Sequence, residues 1–123
     1  MERPRILIIE QNRRRVGELH QRLENNGYET EVALNGELAL SILRERDMDA
    51  AVLDHEMTGF DEWELVRKLK DNAPDLPIIL INGPRLKGVS RIARRAGAAR
   101  YMRGPINLDR VVSAVAGLVS EEA

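Results

Sequence analysis

Short apolar runs alternate with amphipathic helical patterns along the whole 123-residue chain. The runs at 5–9, 50–53 and 77–81 are rich in Ile, Leu, Val and Ala and carry few polar positions. Such runs predict strands that are buried on both faces of a sheet. Residues 28–32 alternate between apolar and polar side chains, and residues 99–102 form a weaker run. These two segments therefore predict edge strands.

The segments between the strands carry apolar residues at helical spacing. Asn12 and Asn107 each precede such a pattern, so both are predicted to cap a helix. Asn35-Gly36 turns the chain into a second helix, and Asp61 with Glu64 resembles a capping box for a third. A shorter, glycine-interrupted helix is expected over about 85–96.

This order of elements gives five βα units with no linker or repeat, and therefore one domain over residues 1–123. Strand–helix alternation with buried central strands predicts an α/β fold: a flavodoxin-like (βα)5 three-layer sandwich with parallel strand order 2-1-3-4-5. Functional sites in such sheets lie beyond the carboxyl ends of the strands. Those ends are Glu10-Gln11, Asp54, Asn82 and Arg103-Gly104.

Composition narrows the class of protein. The chain has no cysteine, and no apolar run is long enough for a membrane span or a signal peptide, so a cytoplasmic location is expected. The net charge is only −1, but residues 83–110 hold eight basic residues and one acid, whereas residues 1–82 hold 11 basic and 17 acidic residues. This asymmetry predicts a basic face on an otherwise acidic domain.

The third predicted strand ends at a carboxylate, Asp54, with a turn directly after it. Because an unpaired buried carboxylate is costly, Asp54 needs water, a cation or a chemical role. The stretches at the four strand ends read ILIIEQN, AVLDHEMTG, IILING and YMRGPIN. Together, and over almost the whole chain, they resemble the receiver domain of two-component response regulators.

The resemblance implies roles for several of these residues. Asp54 corresponds to the phosphoacceptor of the family. Glu10, Asp54 and the backbone carbonyl of Glu56 correspond to its Mg²⁺ ligands, with Gln11 offering a weak neutral ligand. The carboxylate would attack a phosphoryl group, a reaction that depends on cations and hydrogen-bond donors around the phosphoryl oxygens.

The chain departs from the family pattern at three positions. Gln11 stands where the family has a second acid, Asn82 where it has a hydroxyl residue, and Gly104 where it has a lysine. Pro105 is retained, so the family's cis turn is expected. Tyr101 occupies the position of an aromatic switch residue that the family couples to the missing hydroxyl.

These departures predict weak Mg²⁺ binding. Two substitutes were considered: the side chain of Glu56 for the lost acid, and Arg103 as a replacement cation. The Arg13-Arg14-Arg15 run at the start of the first helix is interpreted as a solvated face, with an anion or a partner at that end as the alternative.

The leading hypothesis is therefore a signalling module, not an enzyme, in which phosphorylation at Asp54 is impaired or dispensable and regulation occurs by protein contact. A functional phosphoacceptor receiver using Asp54 with Mg²⁺ is the alternative, and a small flavodoxin-like cofactor-binding enzyme is a remote one.

Expected partners are a histidine kinase or another signalling protein, and an output partner or second copy on the basic face. That face is defined by Arg91, Arg94, Arg95, Arg100 and Arg110. Direct nucleic-acid binding is not favoured, because the basic segment lacks aromatic interleaving and a recognition-helix motif. The sequence fits a complete protein and a domain of a longer one equally well.

Overall fold

Five parallel strands form one sheet in the order β2-β1-β3-β4-β5. A computed structural model of the chain describes residues 2–57 and 62–122. The strands are β1 (Arg5–Ile9), β2 (Glu29–Ala33), β3 (Ala50–Asp54), β4 (Ile78–Gly83) and β5 (Arg100–Arg103). The predicted flavodoxin-like class and strand order are confirmed, and the two segments predicted as edge strands occupy the two edges.

Helices cover both faces of this sheet. They are α1 (Arg13–Asn25), α2 (Gly36–Glu45), α3 (Glu62–Asn72), α4 (Val89–Ala96) and α5 (Leu108–Glu122). One apolar cluster joins the sheet to α2, α3 and α4, and a second joins it to α1 and α5. The middle strands β1, β3 and β4 contribute to both clusters, which explains why their sequences lack the alternation of a one-sided sheet.

Asparagine side chains fix where three helices begin. The side-chain oxygens of Asn12, Asn35 and Asn107 accept hydrogen bonds from backbone N–H groups three residues onward, at 3.1, 2.9 and 3.2 Å. Each cap satisfies a donor that the first turn of a helix leaves unpaired. The predictions for Asn12 and Asn107 are confirmed, and the Asn12 cap sets the direction in which α1 leaves the site.

The fourth helix is shorter than predicted. It begins at Val89 instead of near residue 85, because Gly88 lies at its start with a φ of 88° in the left-handed region. Residues 84–88 consequently form a loop beside the end of β4. Strand β5 lies one residue later than expected. The capping box predicted at Asp61 falls outside the described residues.

Parallel pairing brings the predicted polar strand ends together. Ile9 pairs with Leu53, so the next residues of β1 and β3, Glu10 and Asp54, emerge side by side. Asp54 in turn pairs with Ile81 of β4, directly before Asn82. The sheet therefore places Glu10, Asp54 and Asn82 at adjacent positions of one edge.

Candidate functional site

Two buried carboxylates form the centre of the site. Glu10 is 0% and Asp54 is 3% exposed, and they are the buried charged residues of the part of the chain that the structure describes. The Oδ1 atom of Asp54 accepts hydrogen bonds from the Glu56 backbone N–H at 2.9 Å and from the Asn82 amide at 3.4 Å. The Oε2 atom of Glu10 accepts one from the backbone N–H of Asn12 at 3.2 Å.

The guanidinium group of Arg15 binds both carboxylates. Nη1 of Arg15 lies 2.7 Å from Oδ2 of Asp54 and 3.4 Å from Oε1 of Glu10. Two opposite unit charges at 4 Å attract by roughly 4 kcal/mol when the effective dielectric constant is near 20. The pairing offsets much of the cost of burying two acids together.

The local fold explains why Arg15 reaches the acids. Asn12 caps α1 with its side chain on the Arg15 backbone N–H, which holds the third helical residue above the end of β1. The arginine side chain is 29% exposed, whereas that of Arg14 is 91% exposed. The interpretation of 13–15 as a solvated face is therefore wrong for Arg15. A contact between this turn and an acid could have been inferred from the sequence, because the basic first turn of the helix directly follows a strand that is predicted to end at an acidic residue.

The two acids differ in their protonation. Burial, the hydrogen bond with Asp54 and the charge of Asp54 together raise the pKa of Glu10 to about 7, although the Asn12 N–H and the charge of Arg15 oppose this shift. Burial alone would raise the pKa of Asp54 as well. Its hydrogen bonds with Glu10 and with the Glu56 N–H, together with the Arg15 charge, outweigh burial and hold this pKa below its ordinary value. Near neutral pH, Asp54 is thus the ionised acid, and Glu10 exchanges a proton with solvent.

The predicted metal ligands meet at this edge, but hydrogen-bond donors face them. Arg15 donates to both carboxylates, and the side-chain amide of Gln11 donates to the Glu56 backbone carbonyl at 3.2 Å. The Glu56 side chain is exposed. No cluster of three acidic or histidine side chains suited to a metal occurs among the described residues. As arranged, these residues do not fit Mg²⁺, because N–H groups occupy the oxygen atoms that a hard cation requires.

Asn82 and Gly104 fit each other sterically. Asn82 has a φ of 59°, and its side-chain oxygen lies 2.8 Å from the position that a Cβ atom at residue 104 would take. Any side chain at 104, including lysine, would collide with Asn82 as placed. The Gly104–Pro105 peptide bond is cis, as predicted.

Tyr101 packs over the end of β4. Its hydroxyl donates to the Pro84 backbone carbonyl at 2.6 Å. Its ring lies where a side chain at Gly83 would begin, because a Cβ atom there would be 2.3 Å from the ring. The aromatic side chain at the predicted switch position is therefore bonded to the β4–α4 loop.

A family model described as the response regulator receiver domain matches residues 6–116. The chain belongs to this family. Receiver domains are signalling domains of two-component systems, and the resemblance inferred from the four strand ends is confirmed.

Other receiver proteins resemble this one over most of its length. The response regulator MprA of Mycobacterium sp. (strain KMS) is 30% identical over 115 residues, which are 94% of this chain and 50% of that protein. The chain thus spans about half the length of such relatives. The receiver domain of the Francisella response regulator 1452 superposes with a TM-score of 0.91 at 22% identity, covering 98% of this chain and 99% of that one. A Burkholderia pseudomallei response regulator, solved with a phosphorylated aspartic acid, a calcium ion and citrate, has a TM-score of 0.81 at 25% identity, with 98% and 73% covered.

The basic face of this receiver domain lies on α4, β5 and the start of α5. All five of its defining residues are exposed, as are the apolar side chains of Leu86 and Ile92 beside them. Arg103 is also exposed and lines a cavity on the far side of Asn82. Among the described helices, none is long and apolar enough to cross a membrane.

Proposed function

We propose that this receiver domain regulates by protein contact and that phosphorylation at Asp54 is impaired or dispensable. The observation that carries the proposal is the 2.7 Å ion pair between Arg15 and Asp54. A protein side chain therefore supplies positive charge to the buried acids without a bound ion, and its single charge balances that of Asp54.

The hydrogen bonds of Asp54 support impaired phosphorylation. A carboxylate that attacks a phosphoryl group must present a lone pair to phosphorus, with cations free to bind the phosphoryl oxygens. Here Oδ2 accepts from Arg15, while Oδ1 accepts from the Glu56 N–H and Asn82. Phosphoryl transfer would require Arg15 to leave a charge-assisted hydrogen bond, which is among the stronger bonds in proteins.

The three departures from the family pattern support a coordinated change. Gln11 bonds the Glu56 carbonyl, and Asn82 fills the space beside Gly104. The family's lysine would collide with Asn82, and Arg15 supplies a cation from α1 instead. Gln11 therefore donates a hydrogen bond that an ionised acid at this position would not make.

Regulation by contact is supported by the basic face. Its arginines are exposed, and Leu86 and Ile92 add apolar surface of the kind that the centre of a protein interface requires. The favoured partner presents an acidic face, on an output protein, a kinase or a second copy of this chain.

The second candidate function is a phosphoacceptor receiver. The lowered pKa of Asp54 favours it, because this pKa keeps the carboxylate ionised and nucleophilic at neutral pH. Arg15, Asn82 and the Glu56 N–H would then act on the phosphoryl oxygens after Arg15 shifts. The phosphorylated aspartic acid in the Burkholderia pseudomallei relative is consistent with this candidate.

Intact mass spectrometry after incubation with acetyl phosphate separates the two candidates. The chain and its Asp54→Asn variant are treated with and without Mg²⁺. The proposal predicts no phosphoryl adduct on the unmodified chain under any of these conditions. A Mg²⁺-dependent adduct that Asp54→Asn abolishes would refute the proposal and establish the phosphoacceptor function.

A further inference from the structure

A cavity of about 600 Å³ lies between the β4–α4 loop and the start of α5. Arg85, Arg103 and Arg110 line it, and no acidic side chain among the described residues does. Asn82 also lines the cavity and donates to Asp54 on its other side. The cavity therefore adjoins the acidic site but is a separate space with the opposite charge.

The positive charge of this cavity is not neutralised within the part of the chain that the structure describes. Neither Arg103 nor Arg110 forms a side-chain hydrogen bond or ion pair with a described residue, and Nε of Arg85 donates to a neutral acceptor, the Gly104 carbonyl, at 2.8 Å. Asp109, the one acid nearby in sequence, is bound to Arg22 of α1. Three guanidinium groups around one space favour an anion, which at such sites is typically a phosphate or carboxylate held by paired N–H donors.

The walls of the cavity are not uniformly charged. Ile81 and Val111 are almost fully buried beneath it, and Met102 and Ile106 are half-buried beside them. Polar groups make up most of the accessible lining, and Met102 and Ile106 add half-buried apolar side chains. A volume between about 300 and 1,000 Å³ is typical of sites for small organic molecules. A bare ion would leave the side chains of Met102 and Ile106 without a contact.

We propose that this cavity binds an organic phosphate of about nucleotide size. The phosphate lies among Arg85, Arg103 and Arg110, and the organic part packs against Met102 and Ile106. The site does not require Asp54 to be phosphorylated, so it goes beyond the proposed function. Because its walls come from both the β4–α4 loop and the β5–α5 segment, bound ligand would connect the two loops that border the basic face.

The test is a titration of the ¹⁵N-labelled chain with AMP, followed by NMR amide shifts, with adenosine and inorganic phosphate as separate arms. AMP is expected to give saturable shifts at residues 82–85 and 102–107, adenosine none, and inorganic phosphate weaker binding than AMP. The Arg103→Gln/Arg110→Gln double variant is expected to weaken AMP binding by about tenfold or more. The matched control, Arg91→Gln/Arg94→Gln, removes the same charge from exposed positions on α4 outside the cavity and is expected to retain affinity.

Several results would overturn the inference. These are the absence of saturable shifts with AMP, equal binding of adenosine or of inorganic phosphate, and equal losses in the two double variants, which would indicate diffuse charge attraction. An acidic peptide that binds the same amides more tightly than AMP would assign the cavity to a protein partner instead. The Asp54→Asn variant is expected to bind AMP normally, so failure of this inference is distinguishable from failure of the proposed function.

Discussion

Replacing Arg15 with Gln removes the only described cation in contact with Asp54 and tests the central feature of the site. A hydrogen bond to a charged group contributes about 1.5–3 kcal/mol, and the 29% exposure of the Arg15 side chain reduces this through solvent screening. We therefore expect the free energy of unfolding at pH 7.5 to fall by about 1–2 kcal/mol. Urea unfolding followed by circular dichroism measures this quantity.

Arg14→Gln is the matched control for this experiment. Arg14 shares the first turn of α1, and therefore the same unfavourable helix-dipole position, but its side chain is 91% exposed and meets Glu18 at 3.7 Å. Such an exposed pair contributes about 0.5 kcal/mol or less, and removing it should change stability by no more than that. Equal stability losses in the two variants would refute the view that Arg15 stabilises the buried acids.

The effect of Arg15→Gln should depend on pH and on Mg²⁺. Because the pKa of Asp54 is lowered in the folded chain, its stabilising contribution is present above the unfolded pKa of about 3.9 and is lost as pH falls through the folded value. The difference between the two proteins should therefore shrink in acid. At neutral pH, Mg²⁺ should raise the melting temperature of Arg15→Gln more than that of the unmodified chain, since it can replace the lost cation. An equal Mg²⁺ response would contradict the reasoning.

Four further substitutions test the neighbouring contacts. The folded pKa of Glu10 is raised from 4.5 to about 7, so its contribution to the free energy of unfolding is complete below pH 4.5 and is lost as pH rises through 7. This loss of stability is on the order of 2–3 kcal/mol. Glu10→Gln should abolish it, as measured by urea unfolding across that pH range. Gly104→Lys should destabilise the fold by about 1 kcal/mol, because its Cβ atom would lie 2.8 Å from the terminal oxygen of Asn82 and displace that side chain. Adding Asn82→Gly, which removes the side chain and suits the φ of 59°, should recover part of that loss, and an additive double-mutant cycle would exclude the steric coupling. Gly83→Ala should lower the melting temperature through its clash with the Tyr101 ring, and an unchanged value would show that the ring moves freely.

Much of the fold could be predicted because it depends on local patterns. Fully apolar runs identified the central strands, and the alternation at 28–32 identified an edge strand. Asn12 and Asn107 marked helix starts because capping is a contact between residues three positions apart. The start of α4 was predicted too early, since the left-handed conformation of Gly88 is not evident from apolar periodicity.

The candidate site was predictable in its backbone positions but not in its contacts. Parallel strand order was enough to place Glu10, Asp54 and Asn82 together, because the carboxyl ends of the strands share one edge. The sequence offers Arg103 as a substitute cation, whereas in the structure Arg103 lines the neighbouring cavity and Arg15 contacts Asp54. That role of Arg103 remains a prediction of the sequence alone.

The strand order, the family and the position of Asp54 at the edge of the sheet could be predicted from the sequence, because these follow from periodicity, turns and strand ends. Two contacts became evident only from the tertiary structure. Arg15 pairs with Asp54, 39 positions away, and Tyr101 packs on Gly83. The same holds for the arginine-lined cavity. These contacts could not be predicted because a pattern of residues indicates only which face of a helix or strand is buried. It does not indicate how far a flexible side chain extends, or which charged side chain of a neighbouring element it contacts.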